Sequence, residues 1–359
     1  AMRWWGWGED DRAEPLPPHA LGFLRAEVGV AGRPRPPVAL SRVRLGESRL
    51  QEGVAERLRA IVGREGVRDD HADRVRHAAG KGYPDLVRMR AGEPDGAPDA
   101  VLYVSAPEQL APVLETCAAS SVAVVPFGGG TSVVGGVAPV GAEHAAVLAL
   151  DLELLAGVRK LDRRSRTATV LAGTRGPALE ADLAARGLTL GHYPQSFEYV
   201  SIGGCVATRS SGQASSGYGG IASMVLGLRL VAPAAEISLP PLPATAAGPG
   251  LRQLLVGSEG TLGVISEVDL RVRAAPAQRV YEGAFFGDLA AGVEALRELA
   301  LEHALPDVAR LSDASETRMS LALAGSGGLR GRLGRAYLSA RGMAGGCLTI
   351  LGFEGGREE

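Results

Sequence analysis

Pro126-Phe127-Gly128-Gly129-Gly130-Thr131-Ser132 is the stretch that decides how this sequence is read. It closes an apolar run over 122–126, whose β-branched content and length mark a strand, and Gly135-Gly136 follows shortly after. Consecutive glycines have no Cβ, so the backbone can approach a ligand and aim several N–H groups at one oxygen. Such a nest of donors suits a pyrophosphate, and Thr131 and Ser132 add hydroxyls. Taken alone, the loop is also compatible with a glycine-rich turn that holds nothing. A Walker loop is excluded, because no lysine lies near Gly130. A Rossmann fingerprint needs a helix after the glycines and an acidic residue about 20 positions on. Asp151 has tempting spacing, but Gly135, Gly136, Pro139 and Gly141 prevent a helix from propagating between.

Two further clusters have the same chemistry. One runs Gly191-His192-Tyr193-Pro194-Gln195-Ser196-Phe197-Glu198-Tyr199-Val200-Ser201-Ile202-Gly203-Gly204, then Thr208-Arg209-Ser210-Ser211-Gly212. The other is Gly257-Ser258-Glu259-Gly260-Thr261-Leu262-Gly263-Val264-Ile265. Each mixes glycine with hydroxyl side chains between apolar segments. Three such loops imply one large, polar ligand anchored at several points, and a dinucleotide fits that better than a mononucleotide.

Outward from these loops, strands and helices alternate. Runs at 100–104, 147–151, 227–231 and 263–272 read as strands, and 157–161 with 167–171 as a hairpin. Ser105 is expected to cap a helix with Pro107 in its first turn and Leu110, Val113, Leu114 and Cys117 along one face. A helix is expected from Gly176-Pro177, and a proline-rich excursion at Pro240, Pro241 and Pro243. Upstream, a helical pattern covers 50–62. An extended connector is expected at Arg33-Pro34-Arg35-Pro36-Pro37. The cluster Arg3-Trp4-Trp5-Gly6-Trp7-Gly8 holds all three tryptophans, read as pinning the N-terminal segment onto another domain. After Pro276 come strands at 280–286, 308–311 and 348–353 and an amphipathic helix over 289–301. A sheet is under construction there, yet the sequence reaches Arg357-Glu358-Glu359 without a closing element, so an incomplete domain is expected.

The chain has 359 residues, so two or three units are expected, and a formal charge of −2 offers no basic excess for nucleic acid. Cys117, Cys205 and Cys347 are odd in number and widely spaced, with neither a disulfide framework nor metal-ligand spacing. No charged leader and no run of about 18 apolar residues is visible. The expectation is a soluble, cytoplasmic homodimer without a metal, with room for peripheral membrane contact.

The motifs GGGTS, GG-x-x-x-TR-x-SG and GSEGTLGVI, in this order, resemble the FAD-binding domain of the vanillyl-alcohol oxidase and p-cresol methylhydroxylase superfamily. Trp4-Trp5-Gly6-Trp7-Gly8 with Asp10-Asp11, Arg76-His77-Ala78-Ala79-Gly80 and Ala309-Arg310-Leu311 are similar to alkyldihydroxyacetonephosphate synthases, flavoproteins of ether-lipid synthesis. The resemblance implies an α+β fold. Residues 1–95 would form an N-terminal region, 96–275 a two-subdomain FAD-binding domain, and 276–359 the start of a ferredoxin-like substrate (cap) domain. It implies FAD contacts at Pro126, Phe127, Gly128, Gly129, Gly130, Thr131 and Ser132, and again at Gln195, Ser196, Phe197, Glu198, Tyr199, Val200 and Ser201. Further contacts are implied at Thr208, Arg209, Ser210 and Ser211, and at Glu259, Gly260, Thr261, Leu262, Gly263, Val264 and Ile265. The family often has an acidic residue at the position of Gln195 and a threonine at that of Leu190. No histidine stands within the first loop, which implies a non-covalent cofactor.

The implied reaction exchanges the acyl group of acyl-dihydroxyacetone phosphate for a fatty alcohol, with no net redox change. Arg310 is the implied catalytic residue, gripping a substrate phosphate or polarising a carbonyl; alternation places it on one strand face with Val308, and a solvated arginine is the plain alternative. His192 either donates to the flavin or substrate or makes a structural hydrogen bond, and Glu259 either meets FAD or caps a helix. The family's tyrosine and histidine-rich loop would lie beyond Glu359, so the chain is expected to bind FAD and to catalyse poorly alone. A 2-hydroxyacid dehydrogenase of the same superfamily and an inert FAD-binding fragment are the alternatives.

Overall fold

The computed structural model describes residues 2–12, 16–29, 35–141, 143–242, 244–324 and 329–355. Arg33 and Pro34 of the connector, Pro243 of the excursion and the terminal Arg357-Glu358-Glu359 lie outside the described residues. The chain divides into two compact units. The first comprises Ala1–Asp11, Pro36–Gly212 and Gly220–Ala275; the second comprises Arg12–Arg35, Gln213–Gly219 and Pro276–Glu359. The segment read from sequence as one N-terminal region is thus shared between them.

In the first unit, β1 (Val67–Arg68), β2 (Ala100–Tyr103), β3 (Val122–Phe127) and β4 (Ala146–Asp151) form one sheet in the order β1-β2-β4-β3. β4 runs parallel to both its neighbours, and all six of its residues are buried. A parallel strand covered on both faces has no polar side to show, which is why Ala-Val-Leu-Ala-Leu is unbroken. The crossover between β2 and β3 is the helix Leu110–Ala119, which buries Leu110, Val113, Leu114 and Cys117. Its start departs from the sequence reading. Ser105 does not cap it; Gln109 Oε1 reaches back and accepts from the N–H groups of Ser105 (2.8 Å) and Ala106 (3.2 Å). One amide oxygen there satisfies two orphan donors, where a serine would satisfy one.

A second sheet holds β5 (Val158–Asp162), β6 (Thr167–Leu171), β7 (Val225–Val231), β8 (Glu236–Leu239) and β9 (Val264–Arg271), antiparallel throughout in the order β5-β6-β9-β7-β8. Between β6 and β7 the chain leaves the sheet and builds the helices Gly176–Ala184 and Ile202–Ala207 with the loop that joins them. Trp4 and Trp5 are anchored within this same unit, whereas Trp7 is exposed. Trp4 packs on the cluster of Val43, Val75, Ala78 and Met89, and Trp5 meets the guanidinium groups of Arg3 and Arg90 at 4.9 and 4.7 Å. Lys81, buried, donates from Nζ to the carbonyls of Arg3 (2.7 Å) and Trp4 (3.3 Å).

In the second unit, β10 (Gln278–Phe286), β11 (Val308–Leu311) and β12 (Cys347–Gly355) make an antiparallel sheet in the order β10-β12-β11. The helix Leu289–Leu301 joins β10 to β11 and is N-capped by Asp288, whose carboxylate accepts from Ala291 N–H at 2.8 Å. No helix among the described residues is long and apolar enough to cross a membrane. Nor do those residues gather three His, Cys, Asp or Glu side chains as a metal site would require. All three cysteines are free and buried.

Candidate cofactor site

The first glycine loop begins where β3 ends. Its shape is set by what lies behind it as much as by anything in front. A Cβ on Gly128 would fall 2.1 Å from Ser201 Oγ, and one on Gly129 would fall 2.0 Å from the carbonyl oxygen of Tyr199. Gly130 has φ +65°, a left-handed conformation, with the Phe127 ring against it. These glycines let the loop lie directly on the 199–201 turn. That turn is itself braced, because Arg175 Nη1 donates to Tyr199 O at 2.6 Å and Gly176 N–H to Val200 O at 3.1 Å.

The opposite edge of the loop is fixed as tightly. Lys81 N–H donates to Ser132 O at 2.6 Å, and Gly80 passes so close that a Cβ there would meet that oxygen at 2.2 Å. Phe127 packs on His77, ring centroids 4.4 Å apart, and His77 Nε2 lies 2.8 Å from Asp151 Oδ2. Asp151 is thus committed to a buried histidine and to Glu153 N–H, and is no ribose ligand. Residues 133–141 contain turns and no helix, as the glycines and proline require.

The other two loops converge on the first. Gly260, at φ +81°, packs against Pro126; Glu259 N–H donates to Ala207 O and Gly257 N–H to Val206 O, at 2.9 and 3.0 Å. Glu259 itself has φ +50°, and no helix follows it before β9, so its helix-capping reading is excluded. Ser201 N-caps the helix Ile202–Ala207 by accepting from Gly204 N–H at 3.2 Å.

Together the three loops enclose a cleft of about 400 Å³. Pro126, Phe127, Gly128, Gly129, Gly130, Thr131 and Ser132 all line it, with Ser196, Val200 and Ser201, with Thr208 and Ser210, and with Glu259, Gly260, Gly263 and Ile265. The remaining residues named from the sequence are turned elsewhere. Gln195, Glu198 and Ser211 face outward, Phe197 packs on Tyr193 (5.1 Å between centroids), and Tyr199 presents its carbonyl to Arg175. Arg209 donates to the carbonyls of Val256 (3.2 Å) and Gln253 (2.9 Å), holding the third loop from behind. Thr261 bonds back to Ser258 O at 2.7 Å, Leu262 is exposed, and Val264 is in the core. Arg310 belongs to the second unit, exposed on β11 and paired with Glu316.

Val133, Val134, Gly136, Val137, Leu152, Pro194, Gly203, Gly204, Cys205 and Ala207 also line the cleft, beyond the residues named from sequence. The doublets Gly135-Gly136 and Gly203-Gly204 carried a usable signal; the valines and Leu152 carried none. Arg175, which braces the loop, was also missed, since nothing local separates it from the other arginines.

The lining fits a dinucleotide. Among the described residues, the N–H groups of Gly128, Gly129, Gly130, Thr131 and Ser132 donate no hydrogen bond within the protein. Unpaired backbone donors are rare in folded proteins, and five in succession at a cleft wall are a ready anion site. The lining combines the hydroxyl residues Ser196, Ser201, Thr208 and Ser210 with the apolar Val200, Leu152 and Ile265, the mixture a ligand with a flat ring system and a polar tail needs.

Residues 98–238 match the FAD binding domain family. An alkyldihydroxyacetonephosphate synthase of Dictyostelium discoideum is 30% identical over 99% of this chain and 63% of its own length. A solved alkyldihydroxyacetonephosphate synthase superposes with a TM-score of 0.90 at 29% identity, covering 99% of this chain and 69% of the other. A mitochondrial D-lactate dehydrogenase of Arabidopsis thaliana is 34% identical, over only 51% of this chain and 32% of its own length. The chain therefore spans less than two thirds of the Dictyostelium relative. By motifs, cleft and fold, this chain is an FAD-binding protein similar to alkyldihydroxyacetonephosphate synthases.

Proposed function

We propose that the chain is the FAD-holding part of an enzyme that exchanges the acyl group of acyl-dihydroxyacetone phosphate for a fatty alcohol. The observation that carries the reading is the row of five amides at Gly128–Ser132, unpaired among the described residues, in a chain whose fold superposes on a solved synthase over 99% of its length. When bound, FAD supplies an electrophilic and nucleophilic ring system that can carry a carbon fragment between two partners.

The protein's own part is positioning and electrostatics. The five amides and the hydroxyls of Thr131 and Ser132 hold the diphosphate; Arg175 lies behind Gly129, paired with Glu153, and its hydrogen bond to Tyr199 O keeps the turn under the loop in place. Among the described residues the lining contains no lysine or arginine, so backbone dipoles meet most of the diphosphate charge. Nor does the lining include a histidine, and Cys205 is a weak nucleophile because burial pushes its thiol up to about 11. Both points support a dissociable cofactor. Arg310 is assigned to the phosphate of the substrate, with Glu316 keeping the guanidinium in place until an anion competes for it.

The test is a visible spectrum of the purified chain after incubation with FAD and desalting, then acid precipitation. A yellow protein whose colour passes into the supernatant is expected. A colourless protein ends the reading, and colour retained in the pellet ends the non-covalent part of it. Bleaching by acyl-dihydroxyacetone phosphate supports the acyl exchange, whereas bleaching by lactate or glycolate supports a hydroxyacid dehydrogenase.

A further inference from the structure

His192 has no place in the cleft wall, yet its hydrogen-bond partner among the described residues does. The residue is 4% exposed, and its Nε2 lies 2.7 Å from Ser210 Oγ, which lines the cleft. Its Nδ1 is buried and meets no partner among the described residues. Burial pushes the imidazole down to about 4, so at neutral pH the ring carries one proton.

That proton has two possible seats. On Nδ1 it would be a buried donor without an acceptor, an arrangement folded proteins almost never keep. On Nε2 it is donated to Ser210 Oγ, and the bare Nδ1 lone pair is the lesser loss. Donation to Oγ leaves the serine O–H as the outgoing donor. Among the described residues the acceptor it meets is the sulfur of Cys205, which also lines the cleft and is a weak acceptor. Backbone bonds hold Ser210 in place, from its N–H to Cys205 O (3.0 Å) and from Ile221 N–H to its own carbonyl (3.1 Å). The hydroxyl is fixed in position and in polarity.

We infer that His192 is a positioning residue that locks Ser210 as a hydrogen-bond donor into the cleft, for an acceptor atom on the flavin ring of the bound cofactor. The inference rests on FAD as the occupant of the cleft. A single directed donor of this kind stabilises the electron-rich, reduced form of the ring more than the oxidised form, so the pair sets cofactor reactivity as well as affinity.

The experiment compares the wild-type chain with Ser210→Ala, His192→Phe, His192→Gln and the double variant Ser210→Ala/His192→Phe. FAD dissociation constants, the visible absorption envelope and the flavin midpoint potential are measured, with thermal midpoints as a folding control. Ser210→Ala should weaken FAD by about fivefold, the worth of one such bond, with a displaced absorption envelope and a more negative potential. His192→Phe should reproduce those spectral and potential shifts, and the double variant should be no worse than the more affected single one. His192→Gln, whose amide can donate from the position of Nε2, should restore the wild-type spectrum. Additive effects in the double variant, or a wild-type spectrum and potential in His192→Phe, overturn the inference while leaving FAD binding intact. If His192→Phe fails to fold, a wild-type spectrum in Ser210→Ala overturns it just as well. A wild-type chain that takes up no FAD overturns the cofactor reading itself, and this inference with it.

Discussion

The histidine that the sequence left between two roles illustrates how burial changes a side chain's chemistry. In water an imidazole titrates near 6.5 and is half charged close to neutrality. Enclosed behind the cleft, His192 is held neutral down to about 4 because nothing in its surroundings replaces the hydration of the cation. The sign of the resulting pH dependence follows from proton counting. Between about pH 6.5 and 4 the unfolded chain binds a proton at this position that the folded chain refuses, so stability falls as the pH falls through that window. Above it the contribution is constant. The depression corresponds to about 3 kcal/mol at most. Denaturant titrations from pH 8 to pH 4.5 should show this loss in the wild-type chain and a shallower one in His192→Gln. Equal slopes would mean the imidazole is not shielded as described. Lys81 follows the same logic with the opposite partner set. Burial lowers it to about 8, and two carbonyls rather than a carboxylate receive its protons, which ties the first residues of the chain to the rear of the cofactor loop.

The glycine loop carries two demands that the sequence alone cannot separate. An empty side-chain position leaves room in front for a ligand, and it equally leaves room behind for a neighbouring turn. For Gly128 and Gly129 the second demand is the one visible in the distances, since a Cβ would strike Ser201 Oγ and Tyr199 O at about 2 Å. The two demands are joined, because only a loop pressed onto the 199–201 turn keeps its amides pointing together into the cleft. Gly129→Ala should therefore push the loop off the Tyr199 carbonyl, which is backbone and cannot rotate away. FAD affinity should drop by more than tenfold, the equivalent of about 1.4 kcal/mol, while the far-ultraviolet circular dichroism stays unchanged. Isothermal titration with FAD checks this; an affinity within twofold of wild type would show that the contact is relieved without moving the amides. Arg209 belongs with the same set of supports. Its side chain serves the third loop from behind, so a position adjacent to two cleft residues in sequence is structural in space.

The two compact units lead to an expectation for the protein as a whole. Every described residue lining the cleft lies in the first unit, whose sheets and connecting loops supply the site. A ligand that binds only the folded form stabilises it by about 2.7 kcal/mol at a concentration one hundred times its dissociation constant. Differential scanning calorimetry should then resolve two transitions, of which FAD raises one and leaves the other in place. Arg310→Lys, a change in the second unit, should leave the FAD-sensitive transition and the FAD affinity unaltered. A single transition that moves as one with FAD would show that the units unfold together.

Much of this molecule was legible in the order of its residues. The unbroken apolar strand that precedes three glycines and the stripe Leu110, Val113, Leu114 and Cys117 follow from local periodicity, which a strand or helix must satisfy wherever it lies. The ruling-out of a helix after Gly130 was equally local, because glycine and proline act within their own turn. What only the tertiary structure decided were matters of long-range contact. Gln109 reaches back to the amides of Ser105 and Ala106, and Ser105 caps nothing. Asp151 pairs with a histidine 74 positions away, and Arg175 braces a turn 24 positions on. Serine 210 and histidine 192 meet across 18 positions, and of two neighbouring residues, Ser210 and Arg209, one enters the cleft and the other turns its back on it. Periodicity specifies which face a side chain takes on its own element. Which partner waits on that face depends on how distant segments pack, and no local pattern carries that information.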